Sequence, residues 1–254
     1  MKSLPLLIDF DGVVRLGNVP APDAKDLFNF IDKKQIPACV ISNSTLKTSS
    51  EIKDFFYKNG IEFKIPAVTA SEAALKYAQS KYKKVKVYCT ENIKKLFADL
   101  LVEENPEAVI VGDLSDGWSY DILNEIFRDV HSGADFIAMQ KNKYWKPDGE
   151  TLCLDAGSFI SAIEYATSKE ALLIGKPSPI YFRTALKMLG DENSNFFMLG
   201  DDLETDALGA KQIGGKAILI FTGKTKSLTR ETENLPDYKA NNLTDVIRIL
   251  EKFH

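Results

Sequence analysis

The stretch LLIDFDGVV, residues 6–14, is an apolar run that ends in two carboxylates, Asp9 and Asp11, followed at once by Gly12. An apolar run of this length reads as a buried strand. A buried strand that delivers two like charges side by side is electrostatically costly, because each carboxylate opposes the ionisation of the other. Something positive is therefore expected between them.

Working outward, seven further short apolar segments bounded by turn residues read as strands: PACVIS, KVKVYC, AVIVGD, ADFIAM, EALLIG, NFFMLGD and KAILIF. Stretches with helical periodicity lie between them, among them DAKDLFNFIDKKQ, SSEIKDFFYKNG, SEAALKYAQSKY, SFISAIEYATS, PIYFRTALKMLG and TDVIRILEKF. Strands separated by such helices imply βαβ crossovers and hence an α/β fold with parallel sheets. GVVRLGNVPAP reads as a hairpin or flap. The strands fall into two clusters, which predicts a core formed by residues 1–77 and 170–254, with a second α/β module at 78–169.

Composition narrows the chemistry. The chain has 254 residues, net charge −4 and only two histidines, His131 and His254. A Ser-His-Asp triad or a histidine metal cage has little to draw on, so acid–base work falls to carboxylates and lysines. The acidic balance gives no support to a nucleic-acid or anionic-membrane partner. No apolar run approaches the roughly 20 residues of a membrane span, and MKSLPLLIDF turns acidic too early for a signal peptide. A cytoplasmic protein is expected. Cys39, Cys89 and Cys153 show no paired spacing and read as free thiols.

Four strand ends carry polar groups, and ligands of parallel sheets sit at such ends. The first holds Asp9 and Asp11. At the second, Ser42, Asn43 and Ser44 follow PACVIS just before a helix, where hydroxyl and amide groups suit phosphate oxygens; Ser/Thr runs there also serve as plain helix caps. At the third, GKPSP pins Lys176 between a strand and a helix beginning near Ile180, giving a compact cation a fixed place. The fourth, LGDDLETD, sets Asp201, Asp202 and Asp206 at a strand end, an oxygen-rich set that a hard cation could take and that an acidic helix start also explains.

This ordered set of four motifs resembles the haloacid dehalogenase superfamily of phosphotransferases, and in its span the NagD-like subgroup with a large α/β cap inserted between the second and third motifs. The resemblance implies a Rossmann-like parallel-sheet core and a phosphatase of a small phosphorylated metabolite. It implies Asp9 as nucleophile, forming an aspartyl-phosphate, and Asp11 as the acid and base for leaving group and water. It also implies Mg2+ held by Asp9, by the backbone carbonyl of Asp11 and by Asp201, which answers the charge problem of residues 6–14. Ser42 and Asn43 would bind the phosphoryl oxygens, with Lys176 offsetting charge and Asp202 and Asp206 in support. Tyr144 and Trp145, with Lys146, are candidate contacts from the cap to the organic part of the substrate, and packing within the cap is the alternative for Trp145. Relatives often dimerise through the cap.

An aspartate at position 11 favours phosphate esters over carbon–halogen bonds within the superfamily, and Ser42, where many relatives have Thr, keeps the hydroxyl. Phosphoryl transfer to an acceptor other than water, and a non-catalytic binding protein on the same fold, are the competing readings. FTGKT (221–225) is set aside as a nucleotide loop because Ile218 stands where the cradle needs a glycine.

Overall fold

The computed structural model describes residues 3–145, 151–191 and 195–254. The chain forms two compact units, the first comprising Met1–Ser42, Ser49–Val68 and Lys176–His254, the second Asn43–Thr48 and Thr69–Gly175. The boundaries read at 77/78 and 169/170 both lie inside the second unit, the first of them within the helix Ala70–Lys81.

The first unit is built on a six-stranded sheet ordered Tyr238–Ala240, Lys216–Ile220, Phe197–Gly200, Leu6–Asp9, Ala38–Ser42, Ala67–Thr69. Leu6–Asp9 pairs in parallel on both sides, Leu6 facing Phe197 on one and Ala38 on the other. Leu6, Leu7 and Ile8 are completely buried, which is why the motif reads as a continuous apolar run instead of alternating. One face packs on the helices Ala24–Lys34, Ser49–Lys58 and Leu243–Leu250 through Leu27, Ile31, Ile52, Phe56, Val246 and Leu250. Phe56 anchors this layer, stacked on Phe63 at 4.9 Å and edge-on to Phe28 at 5.0 Å. Beyond Asp9 the chain turns at Gly12 (φ 80°) and runs into a small antiparallel hairpin, Arg15–Leu16 against Val19–Pro20, where a hairpin or flap is expected.

Because neighbouring strands run the same way, their carboxyl ends share one edge. That edge collects Asp9, Ser42 and the step from Gly200 to Asp201. It is also where the strand order reverses, with Leu6–Asp9 leading one way to Ala38–Ser42 and Phe197–Gly200 the other way to Lys216–Ile220, the place where ligands bind in open α/β sheets.

The second unit has its own four-stranded parallel sheet, ordered Leu172–Leu173, Asp135–Ala138, Ala108–Val111, Val85–Tyr88. The helices Tyr120–His131 and Ala156–Thr167 cover it, burying Ile126, Val130, Ile160 and Ile163 against Val109, Val111 and Phe136. Thr69 opens the helix Ala70–Lys81 with a capping box to Glu72, and Asp155 caps Ala156–Thr167. Two mixed helix-and-parallel-sheet units agree with the α/β class read from the sequence: a Rossmann-like core and an inserted α/β cap.

Candidate active site

Asp9 ends the central strand, and its Oδ1 accepts from the Phe10 amide at 2.8 Å. Lys176 lies just before the helix Pro179–Met188, which Ser178 caps and Pro179 starts. Its ammonium is buried and bridges two carboxylates, Asp9 Oδ1 at 2.7 Å and Asp206 Oδ1 at 2.6 Å. Asp206 sits in a single π-helical turn, Leu203–Leu208, and its other oxygen accepts from the amides of Asp201 and Asp202, both at 3.1 Å. One residue thus aims the lysine with one oxygen and holds the Asp201 backbone with the other.

Asp201 is fixed from a third segment. Its Oδ2 accepts from the Lys224 amide and its carbonyl from the Thr225 amide at 2.9 Å, while the Thr225 hydroxyl accepts from Leu203 N at 3.2 Å. The close approach of backbone to this carboxylate requires glycine: a Cβ at Gly12 or at Gly223 would collide with Asp201. The FTGKT segment, set aside as a nucleotide loop, therefore closes the acidic site.

One carboxylate oxygen each from Asp9, Asp201 and Asp206 lies within 4.8 Å of the others, and all three residues are buried. Burial pushes the Asp9 carboxyl well above the ordinary carboxylate range, with Asp206 and Asp201 adding to the rise and Lys176 opposing it. Burial likewise pushes Asp201 up to about 6, reinforced by Asp206. For Lys176, burial favours the neutral amine, but Asp206 and Asp9 outweigh it and hold the lysine protonated above its usual range. Three buried carboxylates against one ammonium leave negative charge uncompensated. The all-oxygen donor set suits a hard divalent cation.

These shifts have a sign that melting can read. A carboxyl whose folded pKa exceeds its unfolded value binds more protons when folded, so stability falls as pH rises between the two values. In EDTA, the midpoint of thermal unfolding is expected to fall as pH rises from about 4 through 6. Asp155, raised by burial in the second unit, adds in the same direction, whereas Asp202 is held below its usual range, mainly by Lys224 against the effect of burial, and acts only at lower pH. Asp201→Asn should flatten the slope; an unchanged slope would contradict the assignment.

The remaining residues expected from sequence are placed as follows. Asp11 is half exposed and paired with Arg15. Ser42 is buried, its amide and carbonyl both bound by the Tyr181 hydroxyl at 3.0 and 2.6 Å. Asn43 belongs to the second unit, where its carboxamide oxygen packs against Gly175. Asp202 caps the Leu203–Leu208 turn through Glu204 and Thr205 and pairs with Lys224, outside the three-carboxylate cluster. Tyr144 and Trp145 stand exposed on a short ribbon with Cys153–Leu154, and Lys146 lies outside the described residues. Sequence reading missed Arg15, Tyr181, Lys224 and Thr225, whose roles arise only when turns close.

The family model described as haloacid dehalogenase-like hydrolase matches residues 6–103, and a second, HAD-hydrolase-like, matches 173–246. The human haloacid dehalogenase-like hydrolase domain-containing protein 2 is 30% identical over 92% of this chain and 90% of its own. The phospholysine phosphohistidine inorganic pyrophosphate phosphatase of Rattus norvegicus is 30% identical over 80% of this chain and 75% of its own. NagD from Escherichia coli shares the fold, with a TM-score of 0.85 over 96% of this chain and 98% of NagD at 22% identity. With the motifs in order, the buried Asp–Lys–Asp cluster at the sheet edge and these likenesses together, the chain belongs to the haloacid dehalogenase-like hydrolases, among those of NagD-like architecture.

Proposed function

We propose that this enzyme is a magnesium-dependent phosphatase that hydrolyses a small phosphorylated metabolite in the cytoplasm through an aspartyl-phosphate on Asp9. The observation that carries the reading is the buried lysine bridging Asp9 and Asp206 beside Asp201. The phosphatase named among its relatives supports it.

Asp9 attacks phosphorus with one carboxylate oxygen as the bond to the leaving oxygen breaks. Asp11 gives that oxygen a proton, then takes one from the water that attacks the aspartyl-phosphate. Lys176 offsets the charge shared by Asp9 and the phosphoryl group, kept protonated and aimed by Asp206. Ser42 and Asn43 donate to the phosphoryl oxygens. Asp9, the Asp11 carbonyl and Asp201 would hold Mg2+, which when bound supplies positive charge to the transferring group. Asp202 supports the site by capping the turn that carries Asp206. Tyr144 and Trp145 contact the organic portion of the substrate and so bear on its selection. Among the described residues no helix is long and apolar enough to cross a membrane.

The purified protein is expected to hydrolyse p-nitrophenyl phosphate with magnesium and to lose that activity in EDTA, recovering it when magnesium is restored. No magnesium-stimulated turnover on any member of a broad panel of phosphate esters would overturn the proposal.

A further inference from the structure

The first strand of the small hairpin that follows Asp9 opens with a cation that the mechanism above does not use, Arg15. Arg15 donates from Nε to Asp11 Oδ1 at 2.5 Å, and its Nη2 pairs with the same oxygen. The guanidinium is itself held: it lies 5.1 Å from the centre of the Phe10 ring, the Arg15 amide donates to the Phe10 carbonyl at 2.9 Å, and the Arg15 carbonyl accepts from Gly12 at 2.9 Å. Arg15 is one-fifth exposed and Asp11 about half. An exposed i,i+4 pair contributes little to stability, so stability is a weak reason for so fixed an arginine.

Its effect on geometry is larger. A half-exposed aspartate in a turn would otherwise spread over several staggered rotamers. Both guanidinium contacts fall on Oδ1, which fixes one oxygen of the carboxylate and leaves the other outside the pair. We propose that Arg15 is a positioning residue that clamps Asp11 through Oδ1 so that Oδ2 carries the proton to the leaving group, an inference that rests on the acid–base reading of Asp11. In the first half-reaction the Asp9 oxygen bonds to phosphorus, the electron pair of the breaking P–O bond goes to the leaving oxygen, and the Oδ2 proton follows it. Arg15 then faces the carboxylate that the transfer leaves behind. In the second half-reaction that carboxylate takes a proton from the attacking water, and the Asp9–phosphorus bond breaks.

General-acid help matters most when the leaving oxygen is strongly basic, which separates positioning from mere support. Arg15→Gln should lower kcat/KM on alkyl phosphates about tenfold or more, and on p-nitrophenyl phosphate, whose leaving group needs little protonation, less than about threefold. Arg15→Lys should recover part of the alkyl-phosphate loss. In an Asp11→Asn background Arg15→Gln should cost nothing further, because the clamp has no acid to position. Circular dichroism and melting of each variant check folding, and the double variant keeps the test valid if Arg15→Gln alone is destabilised. An equal loss across leaving groups, or an undiminished Arg15 effect without the Asp11 carboxylate, overturns the clamp while leaving the acid–base role of Asp11 standing. Full alkyl-phosphate activity in Asp11→Asn alone overturns that role, and the clamp with it.

Discussion

Replacing Lys176 by Met is expected to destabilise the protein by about 3–5 kcal/mol at pH 7 in EDTA, the range seen when one partner of a buried ion pair is removed. The reason is local. Lys176 is the cation that bridges Asp9 and Asp206, and the variant leaves those carboxylates and Asp201 clustered in a buried site without it. The pH dependence follows from the sign of each shift. A lysine whose folded pKa is raised contributes its full stabilisation below the unfolded value near 10.4, so the whole contribution is present at pH 7 and is lost only as pH rises through the folded value. The deficit should shrink on acidification, because protonating Asp9 and Asp201 removes the repulsion that Lys176 had balanced. Magnesium should restore part of the loss by placing positive charge among the same carboxylates. Urea denaturation at pH 5 and pH 7.5, with and without magnesium, measures all three effects. A deficit below about 1 kcal/mol at every pH would mean that the lysine is no more than a surface charge.

Asp9→Asn should lower phosphate-ester turnover by about 10⁴-fold or more, the order of effect found when a covalent nucleophile is removed. Its stability should move the other way. Burial and the neighbouring carboxylates raise the Asp9 carboxyl, so its ionised form opposes folding at neutral pH, and the neutral amide removes one charge from the cluster while keeping its shape. The variant is thus expected to melt no lower than the parent in EDTA while losing activity, a pairing that separates catalytic loss from misfolding. Rapid acid quench followed by peptide mass analysis should find phosphate on the Asp9 peptide of the parent and none in the variant. Retained turnover in Asp9→Asn would remove the covalent intermediate from the mechanism.

The strand ends are legible in the sequence because burial on both faces demands an unbroken apolar run, and such a run stops where the chain reaches the polar edge. LLID, ACVIS and FMLG announce themselves in this way, and so do the groups that follow them. Ala67–Thr69 escaped because three residues leading directly into a helix leave no run to recognise, and Tyr238–Ala240 because YKA is too short to show a period. The helix Tyr120–His131 lies outside the segments read above as helical, although its apolar face follows the helical period.

Within the site, residue type did not separate Asp202 from Asp206. Both follow the same strand, and only the π-helical turn decides that Asp206 reaches inward to Lys176 while Asp202 caps the turn and meets Lys224. Arg15 and Thr225 gave no signal because their partners depend on how turns fold back, which single-residue chemistry does not encode.

The sheet order carries a further cost, borne during synthesis. Leu6 is made long before the strand that completes one side of it, which begins at Phe197. At bacterial or eukaryotic elongation rates the interval is on the order of 10 to 40 seconds. Throughout it the nascent central strand has Ala38–Ser42 along one edge and a row of unpaired N–H and C=O groups along the other, flanked by apolar side chains, a template for aggregation. Slow translation, crowding of polysomes or loss of holdase capacity should therefore harm the yield of this protein before affecting the finished molecule.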